Sequence, residues 1–410
     1  MPELLTIIYL VYSFIAFYFL FLFLLIYAKN RKNFFSIPKI TKNHSLSIVI
    51  PCYNEEKNIG GTIEAVLNSD YKGLKKIIVV DDCSTDNSYA VIKKYAKKYK
   101  KIMALRTPKN TGKASGSKNY GAKFADTELI GFVDADSYPQ KDAIRKMIGF
   151  FDDKNIVSVT SSIFVKKRKR FIEKLQSIEY RIIAFTRKLL GFVGAIYVTP
   201  GPLAIYRKKA FDDVGRFDEN NLTEDIEITW RFLSKGYKIE MSVPSKAYTV
   251  APNRFKTWYL QRVRWNIGGI QTINKYRRAF ARKGILGSFV LPFFILSWVL
   301  GILGIAILIY RGFRRITIHY LITKYSIGAQ TAVLTLREIN LTPSVLLFFG
   351  TAILLLSLLF TILALSYSKE KEFKKVGIFN ILIYSFIYLL AYPVILITSL
   401  FKYVKKEKTW

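Results

Sequence analysis

Two acidic pairs in this chain have the side chains and spacing needed to handle a phosphorylated ligand. Asp134 and Asp136 stand two residues apart in FVDADSY, and in an extended chain their carboxylates would point the same way. Two carboxylates at that spacing can bind a hard divalent cation, which in turn binds phosphate oxygens. The alternative is a solvated turn, so the position of the pair relative to predicted strands is the informative feature.

The second pair, Glu224 and Asp225, begins a predicted helix in LTEDIEITWRFLSKG. Thr223 is the predicted N-cap, and Gly236 is the predicted stop. The helix dipole favours the ionised form of Asp225, and an ionised carboxylate at the rim of a cleft can act as a general base. The alternative is that both acids only complement the dipole.

A third motif, YLQRVRWNIGG, carries basic and aromatic side chains on one helical face. Gln261, Arg264 and Trp265 have the spacing i, i+3, i+4. Arginine can bind a diphosphate through two parallel hydrogen bonds, and tryptophan can stack on a sugar ring. The alternative is an amphipathic helix with Arg and Trp at headgroup depth. The two interpretations are compatible, because such a helix could lie on a membrane and close a site with its upper face.

The acidic motifs follow short apolar, β-branched segments that alternate with helical patterns. The predicted strands are 46–51, 75–80, 101–106 and 128–133, and the predicted helices are 59–68, 88–99 and 114–125. Such alternation predicts a parallel sheet with crossover helices, in which ligands bind beyond the carboxyl ends of the strands. Three of the four strand ends, PCYNEE, DDCSTD and DADSY, are acidic. This pattern favours a metal-bound phosphate, or a base and ribose.

Four segments without charged residues are long enough to cross a bilayer, which takes about 20 residues. They lie near Leu4–Ala28, Ile285–Tyr310, Ser344–Tyr367 and Val376–Phe401. Basic residues follow the first segment, which predicts a permanent anchor with its C-terminal end in the cytosol. The sequence therefore predicts a multi-pass protein of the cell membrane. Its predicted parts are a span at 1–28, a cytosolic α/β domain at 29–283 with interface helices near 171–190 and 255–280, and a membrane region of about three spans at 284–410.

The charge of the chain is strongly positive, with 63 basic and 29 acidic residues and a formal net charge of +34. Such an excess suggests nucleic acid, anionic lipid or a phosphorylated ligand. Because the positive-inside tendency accounts for basic residues beside membrane spans, and because the strand ends are acidic, no nucleic-acid partner is expected. The two cysteines and two histidines have no metal-binding spacing, so chemistry based on those residues is not expected either.

Six motifs together resemble a known family. PCYNEE, VVDDCSTD, NTGKASGSKNYG, DAD, TED and QRVRW occur in the order and rough spacing of family 2 glycosyltransferases with the GT-A fold, across residues 45–275. The last three resemble the processive membrane subset, which includes cellulose, chitin, hyaluronan and poly-N-acetylglucosamine synthases. The resemblance implies a Rossmann-like, mostly parallel GT-A domain, a UDP-sugar donor, and Mg²⁺ or Mn²⁺ as cofactor.

The resemblance also implies roles on the donor side. The uracil and ribose would be contacted by Tyr53 and Glu55, together with Asp81 or Asp82. Lys113 would lie near the nucleotide or donor sugar, and Asp134 would face the ribose and diphosphate. Asp136 would bind the metal, with Asp134 as a second ligand.

On the acceptor side, the resemblance implies that Asp225 is the catalytic base and that Glu224 lies close to the acceptor. Gln261, Arg264 and Trp265 would close over the diphosphate and the acceptor sugar. The segment TPGPLAIYR at 199–207 resembles the one that lines the acceptor site in chitin and hyaluronan synthases. Pro200 stands where those synthases carry a small or thiol residue.

The leading prediction is inverting transfer of a sugar, with N-acetylglucosamine as first choice, from its UDP derivative to a growing β-linked polysaccharide at the bilayer. Two questions are left open: whether this chain exports its product alone, and whether it works as an oligomer or with an accessory subunit. One alternative is transfer of a single sugar to a polyprenyl-phosphate lipid, although such enzymes usually lack the Gln-x-x-Arg-Trp motif. A remote alternative is a nucleotide-sensing transporter, but charges that mark transport paths are missing from the four predicted spans.

Overall fold

A computed structural model describes residues 2–329, 345–367 and 377–407 of the chain. Its α/β domain is built on one eight-stranded mixed sheet with the strand order β3-β2-β1-β4-β7-β6-β8-β5. The strands are β1 (Leu46–Cys52), β2 (Leu74–Asp81), β3 (Ile102–Arg106), β4 (Leu129–Phe132), β5 (Ser137–Pro139), β6 (Ile156–Val165), β7 (Ala204–Arg207) and β8 (Lys238–Thr249).

The helices connect the strands of the domain and then form the apolar part of the chain. In chain order they are α1 (Pro2–Asn30), α2 (Ile59–Leu67), α3 (Ser88–Lys98), α4 (Ala114–Ala122), α5 (Arg145–Ile148), α6 (Phe171–Phe192), α7 (Lys208–Asp213), α8 (Glu224–Ser234), α9 (Phe255–Tyr276), α10 (Leu291–Gly328), α11 (Val345–Ser366), α12 (Ile378–Ile383) and α13 (Ala391–Val404). Each predicted strand and helix of the first half is present, with ends that differ by about three residues at most.

The four predicted strands are neighbours in the sheet and run parallel, because β1 pairs with β2 and β4, and β2 pairs with β3. Their carboxyl ends therefore meet at one edge. The antiparallel strand β7 joins β4 to the rest of the sheet through β6. The sheet is thus mostly parallel, as predicted, with an antiparallel insertion.

Both faces of the sheet are covered, as the largely apolar and fully buried sequence of β1 requires. On one face, Ile48 and Ile50 pack in a cluster with Ile63 of α2. On the other face, Val49 packs in a cluster with Ala122 of α4 and other buried side chains. Side chains alternate along each strand, so a single strand joins both cores.

Within the described ranges, three helical segments are long and apolar enough to cross a membrane: Thr6–Asn33, Leu286–Gly328 and Phe348–Ser366. A fourth candidate is the pair Ile378–Tyr388 and Ala391–Val404, which is bent by 41° at its break. Two predicted spans begin at Ser344 and Val376, which lie outside the described residues. The helix that contains the predicted span near Ile285–Tyr310 is longer than that span, because α10 continues as one helix to Gly328.

Helices α6 and α9 stand at the two positions where interface helices were predicted, and both pack against apolar helices. Their place at a membrane surface stays a prediction. The ring of Phe185 on α6 lies 5.4 Å from that of Phe360 on α11. The ring of Trp258 on α9 lies 4.9 Å from that of Tyr388, which follows α12. These helices therefore join the sheet domain to the apolar region.

Candidate active site

The loops that follow β1 and β2 are held together by hydrogen bonds, which fixes the strand-end residues relative to one another. Asn54 has φ +54°, and its side-chain oxygen accepts a bond of 2.8 Å from the backbone N–H of Thr85. The backbone N–H of Glu55 donates to Ser88 Oγ at 2.8 Å. Asparagine tolerates the left-handed conformation better than most residues, so this turn suits the sequence.

Tyr53 and Glu55 lie at the mouth of the strand-end cleft. The Tyr53 side chain is 50% exposed, so its ring is available to a ligand. Glu55 is half-buried and accepts a 2.7 Å bond from the Asn58 amide. Burial raises the pKa of Glu55, and the Asn58 bond opposes that rise.

Asp81 and Asp82 at the end of β2 are both buried, and they have different partners. Asp81 pairs with the Arg106 guanidinium at 3.2 Å, while its Oδ1 is buried without a hydrogen-bond partner. Asp82 accepts bonds from Thr107 Oγ1 at 2.8 Å and Thr111 Oγ1 at 2.7 Å, so it fastens the loop after β3. Asp81 therefore keeps a free oxygen, whereas the oxygens of Asp82 are engaged within the protein.

Asp134 and Asp136 lie in the turn between β4 and β5 instead of in an extended strand. Asp136 accepts hydrogen bonds from Ser137 at 3.1 Å and Thr249 at 3.3 Å, both at Oδ1. Burial, followed by the charges of Asp134 and Glu55, raises the pKa of Asp136 to about 7. The negative charges of Asp134 and Glu55 thus lie close enough to Asp136 to disfavour its ionised form, and the protein does not fully compensate for them.

Lys118 of α4 joins the two acidic motifs that the sequence placed ninety residues apart. Its ammonium lies 3.1 Å from Asp134 Oδ1 and 2.8 Å from Glu224 Oε1, and the side chain is only 3% exposed. Burial disfavours the charge, but the carboxylates outweigh it and raise the pKa of Lys118 above its ordinary range. The same ion pair lowers the pKa of Glu224. Asp134 and Glu224 are therefore held beside each other by the same ammonium group.

Asp225 stands in the first turn of α8, next to that ion pair. Its Oδ1 accepts a 2.9 Å bond from the backbone N–H of Ile226. Burial raises its pKa first and the charge of Glu224 second, while Lys118 opposes the rise. The predicted cap differs in detail: Thr223 precedes the helix but makes no side-chain cap, and its hydroxyl donates to Asn221. Asp225 therefore has the properties of a proton acceptor that works near neutral pH.

Helix α9 lies directly against the start of α8. A Cβ on Gly268 would come within 2.2 Å of Thr223 Oγ1, so only glycine permits this approach. The backbone N–H of Leu222 donates to Gln271 Oε1 at 2.9 Å, and Asn221 donates to Thr272 Oγ1 at 2.9 Å. The loop before Glu224 is thus fastened to the helix that carries the Gln-x-x-Arg-Trp motif.

Gln261, Arg264 and Trp265 are all partly exposed on α9. The charge of Arg264 acts on Glu224 and helps to lower its pKa. Arg262 lies within the motif, although no role was predicted for it. It contacts both Gln261 and Trp265: it donates to Gln261 Oε1 at 2.6 Å and lies 4.0 Å from the centre of the Trp265 ring. The motif therefore reaches the acidic cluster through Arg264.

Lys113 does not point freely into the cleft. Its ammonium donates to the carbonyl oxygens of Glu219 at 2.8 Å and Asn220 at 3.1 Å. The predicted contact of Lys113 with a nucleotide remains a prediction. In the structure, Lys113 instead connects the loop before α4 to the loop before α8.

The TPGP segment reaches the same cleft through Gly201. Its carbonyl accepts a bond of 3.2 Å from the backbone N–H of Asp134, and a Cβ at this position would lie 2.3 Å from Asp134 Oδ2. A side chain larger than hydrogen would therefore displace the Asp134 carboxylate. This contact brings Gly201 of the 199–207 segment beside the acidic turn, whereas its role in lining an acceptor site stays a prediction.

The acidic turn suits a divalent cation that is bound partly by the protein and partly by a phosphorylated substrate. Within the described ranges, no group of three or more His, Cys, Asp or Glu side chains could hold a metal ion. Magnesium-type cations often take only one or two carboxylates and complete their shell with water and phosphate oxygens. Asp136 and the neighbouring Asp134 supply these two carboxylates. The hydrogen bonds that Asp136 accepts from described residues are both at Oδ1.

Sequence reasoning missed three residues that organise this site: Lys118, Arg262 and Gly201. Lys118 and Arg262 lie inside motifs that were recognised, so their positions were available. Their burial and their partners depend on contacts between distant segments, which no local pattern reports.

Comparisons with known proteins agree with this geometry. Residues 47–215 match the family described as glycosyl transferase family 2. The poly-beta-1,6-N-acetyl-D-glucosamine synthase of Staphylococcus aureus (strain COL) is 29% identical over 249 residues, which cover 60% of this chain and 59% of that protein. The enzyme of that name from Staphylococcus epidermidis is 31% identical over 231 residues, covering 56% and 55%. The chain thus spans less than two thirds of the length of the curated relatives that it matches.

The fold likeness extends over the apolar helices as well. The mannosyltransferase PcManGT from Pyrobaculum calidifontis, solved in complex with GDP-Man and Mn²⁺, superposes with a TM-score of 0.59 and 14% identity, covering 97% of this chain and 99% of that one. At this identity the likeness concerns the fold alone. The sheet domain therefore has the GT-A fold, and its residues 47–215 match the glycosyl transferase family 2 model.

Proposed function

We propose that this chain is a metal-dependent, inverting glycosyltransferase that uses a UDP-sugar. The observation that carries the proposal is the Lys118 ion pair, which sets Asp134 of the acidic turn against Glu224, next to Asp225. A donor bound at the strand ends would then present its anomeric carbon to an acceptor held by Asp225. The exposed ring of Tyr53 and the free oxygen of Asp81 are available for the base and ribose.

In the proposed mechanism, Asp225 accepts the proton of an acceptor hydroxyl as the oxygen attacks the anomeric carbon. The bond from that carbon to the diphosphate breaks at the same time, and UDP leaves with the electron pair. Arg264 stabilises the negative charge that develops on the diphosphate. A divalent cation held by Asp136 and Asp134 would supply further positive charge at that point. A single in-line displacement inverts the configuration, so an α-linked donor gives a β-glycoside.

The proposed donor is UDP-N-acetylglucosamine, and the proposed product is a growing β-linked polysaccharide. Support comes from the staphylococcal relatives, whose names describe synthesis of poly-β-1,6-N-acetyl-D-glucosamine. Gln261 and Trp265 would hold the acceptor sugar, because a tryptophan face stacks well on a sugar ring. Export of the product by this chain is a separate question.

We also propose that the domain from 29 to 283 lies in the cytosol and that the chain crosses the cell membrane several times. The three long apolar helices, and the bent pair at the C-terminal end, support this arrangement. In it, α6 and α9 lie along the inner surface of the bilayer. The acceptor site would then open toward the lipid phase as well as toward the cytosol.

A second candidate acceptor is a polyprenyl-phosphate lipid, which would receive a single sugar. The observation that favours it is Arg187 on α6, which is buried and whose Nε and Nη1 atoms have no hydrogen-bond partner in the described part of the chain. Product size separates the two candidates, because one predicts a long polymer and the other a lipid-linked monosaccharide.

The proposal is tested with purified, detergent-solubilised protein and a panel of UDP-sugars with Mg²⁺ or Mn²⁺. UDP release and product size are measured for the wild type, Asp225→Asn and Asp126→Asn. Asp126 is an exposed carboxylate paired with Lys76 and serves as the matched control. Asp225→Asn should bind UDP but transfer about 10²–10⁴-fold more slowly, the range for loss of a general base. Wild-type rates in Asp225→Asn would refute the assignment of the base.

A further inference from the structure

The middle of α10 carries a cluster of three arginines that face no carboxylate. Arg311, Arg314 and Arg315 have the spacing i, i+3, i+4, so they share one face of the helix. All three are exposed, and α10 contains no acidic residue. Among the side chains that the structure describes, no carboxylate pairs with any of the three. Like charges at this spacing repel one another, so the cluster attracts an anion.

The three arginines line an open groove between α10 and α1. The groove has a volume of about 940 Å³, and Tyr9 and Tyr12 line it from the side of α1. The Arg311 guanidinium lies over the Tyr9 ring, 5.7 Å from its centre. A Cβ on Gly304 would come within 2.8 Å of the Tyr12 hydroxyl, so the two helices approach closely beside the groove. Two packed helices therefore define its shape.

The groove lies about one bilayer thickness from the sheet domain. Leu291, the first residue of α10, is fully buried in the cluster that contains Trp230 of α8. Arg311 follows it by twenty residues of unbroken helix, which extend about 30 Å at about 1.5 Å per residue. The hydrocarbon core of a bilayer is also about 30 Å thick. A membrane crossed by α10 would therefore place Arg311 in the headgroup layer opposite the sheet domain, whichever side that domain occupies.

The lining of the groove suits a lipid better than a soluble anion. Ile307 and Leu308 line it one turn closer to the sheet domain than the arginines do. A ligand that fills the groove therefore needs an anionic group at the level of the arginines and an apolar chain below that level. A phospholipid has these two parts in this order. Tyrosine side chains such as that of Tyr9 are also typical of the headgroup layer.

We propose that this groove binds an anionic phospholipid in the leaflet opposite the sheet domain. The lipid phosphate would lie between Arg311 and Arg315, which are about one helical turn apart, and an acyl chain would lie along Leu308. Arginine suits this task because its planar fork binds phosphate oxygens through two parallel hydrogen bonds. With the sheet domain in the cytosol, the arginines stand on the side where basic residues are uncommon. A bound phosphate accounts for their position.

The test measures binding of dioleoylphosphatidylglycerol to the purified full chain by native mass spectrometry, without any donor sugar. Dioleoylphosphatidylcholine and inorganic phosphate are the comparison probes. The glutamine variant carries Arg311→Gln, Arg314→Gln and Arg315→Gln. The matched control removes the same charge from exposed positions on or just after α3, with Lys94→Gln, Lys97→Gln and Lys100→Gln.

Wild type and the lysine control should bind phosphatidylglycerol equally and in preference to phosphatidylcholine. The glutamine variant should bind it on the order of a hundredfold more weakly, at about fivefold for each basic residue removed. Phosphatidylglycerol should also raise the unfolding temperature of wild type and of the control, but not of the glutamine variant. Inorganic phosphate at the same concentration should have neither effect, because it cannot occupy the apolar part of the groove.

A conservative variant separates a defined site from general attraction between charges. Arg311→Lys, Arg314→Lys and Arg315→Lys together keep the charge but lose the planar fork, so binding should fall between that of wild type and that of the glutamine variant. This variant also tests the site if the glutamine variant does not fold.

Three results would overturn the proposal. They are wild-type affinity in either arginine variant, equal binding of the two phospholipids by wild type, and displacement of phosphatidylglycerol by an equal concentration of inorganic phosphate. Because no sugar is transferred in these measurements, a failure of the proposed glycosyl transfer would leave their outcome unchanged.

Discussion

At the scale of single residues, the charges around Asp225 determine the pH at which it can accept a proton. Burial and Glu224 raise its pKa, and Lys118 lowers it. A base must be ionised to work, so a raised pKa makes activity fall at a higher pH on acidification than an ordinary aspartate would. We expect the acidic limb of kcat/KM to lie well above pH 4, and a full pH profile of UDP release measures it.

Substitutions of two charged residues near Asp225 should move the acidic limb of the kcat/KM profile in opposite directions. Glu224→Gln removes the negative charge that raises the pKa of Asp225, so the limb should shift to lower pH. Lys118→Gln removes the positive charge that lowers it, so the limb should shift to higher pH. The maximum rate should fall in both variants, but only the position of the limb tests the coupling. Shifts in the same direction would contradict it.

Gly201 should be essential for the acidic turn although it has no functional group. In Gly201→Ala the new Cβ would lie 2.3 Å from Asp134 Oδ2, so the carboxylate must move. We expect the variant to need more Mn²⁺ or Mg²⁺ for half-maximal activity, measured by metal titration. Gly60→Ala is the control, because the nearest atoms to its Cβ would belong to the side chains of Tyr95 at 3.4 Å and Val91 at 3.7 Å, which are ordinary contacts. If Gly201→Ala needed no more Mn²⁺ or Mg²⁺ than the wild type, the turn would not require glycine at this position.

At the scale of elements, a buried polar cluster connects α6, α9 and the C-terminal bent pair. Glu179 of α6 accepts bonds from Arg262 of α9 at 2.6 Å and from the Tyr388 hydroxyl at 2.7 Å. Tyr392 of α13 also donates to Glu179, and Trp258 donates to Tyr388 at 2.6 Å. Since Arg262 also holds Gln261 and the Trp265 ring, this cluster couples the last apolar segment to the Gln-x-x-Arg-Trp face.

A double-mutant cycle should reveal this coupling. Arg262→Met leaves the Glu179 carboxylate buried and uncompensated, which typically costs about 3–5 kcal/mol of stability. The double variant with Glu179→Gln should recover a large part of that loss. Denaturant unfolding in detergent measures the free energies. Arg145→Met is the control, because its pair with Asp70 is largely exposed and should contribute about 1 kcal/mol or less. Additive effects of the Glu179 and Arg262 substitutions would show that the two side chains are not coupled.

At the scale of the whole molecule, the length of α10 constrains how the chain sits in a bilayer. Its 38 residues extend about 57 Å at about 1.5 Å per residue, well beyond a hydrocarbon core of about 30 Å. If the helix enters the core from the cytosolic domain, Arg311 and the arginines after it lie in the far headgroup layer. This placement opposes the positive-inside tendency, but phosphate headgroups there can accept the charges.

Cysteine labelling tests the proposed orientation. In a background without Cys52 and Cys83, Gly312→Cys should react with a membrane-impermeant maleimide in intact cells. Ser36→Cys, which follows α1 on the side of the sheet domain, should react only after the cells are permeabilised. The reverse pattern would put the catalytic domain outside and leave it without cytosolic UDP-sugars.

Much of the fold was predictable because its signals are local. The parallel strands β1 to β4 are short apolar runs, and acidic or polar residues follow them within a few positions. The second half of the sheet was not predicted, although β6 is itself rich in β-branched residues. β8 contains Pro244 and two lysines, which are unusual within a strand, and its pairing with β6 is interrupted by register shifts.

By itself, the sequence determined the strand ends, the order of the motifs, the helical face of Gln261, Arg264 and Trp265, and the apolar spans. All of these depend on residues a few positions apart. Only the tertiary structure decided which charges are buried and what neutralises them. Lys118 meets Glu224 across 106 positions, and Arg262 meets Glu179 across 83. The energy of a buried charge depends on the partners that the fold brings within bonding distance, so the pairings of Lys118 and Arg262 emerge only when the helices are packed.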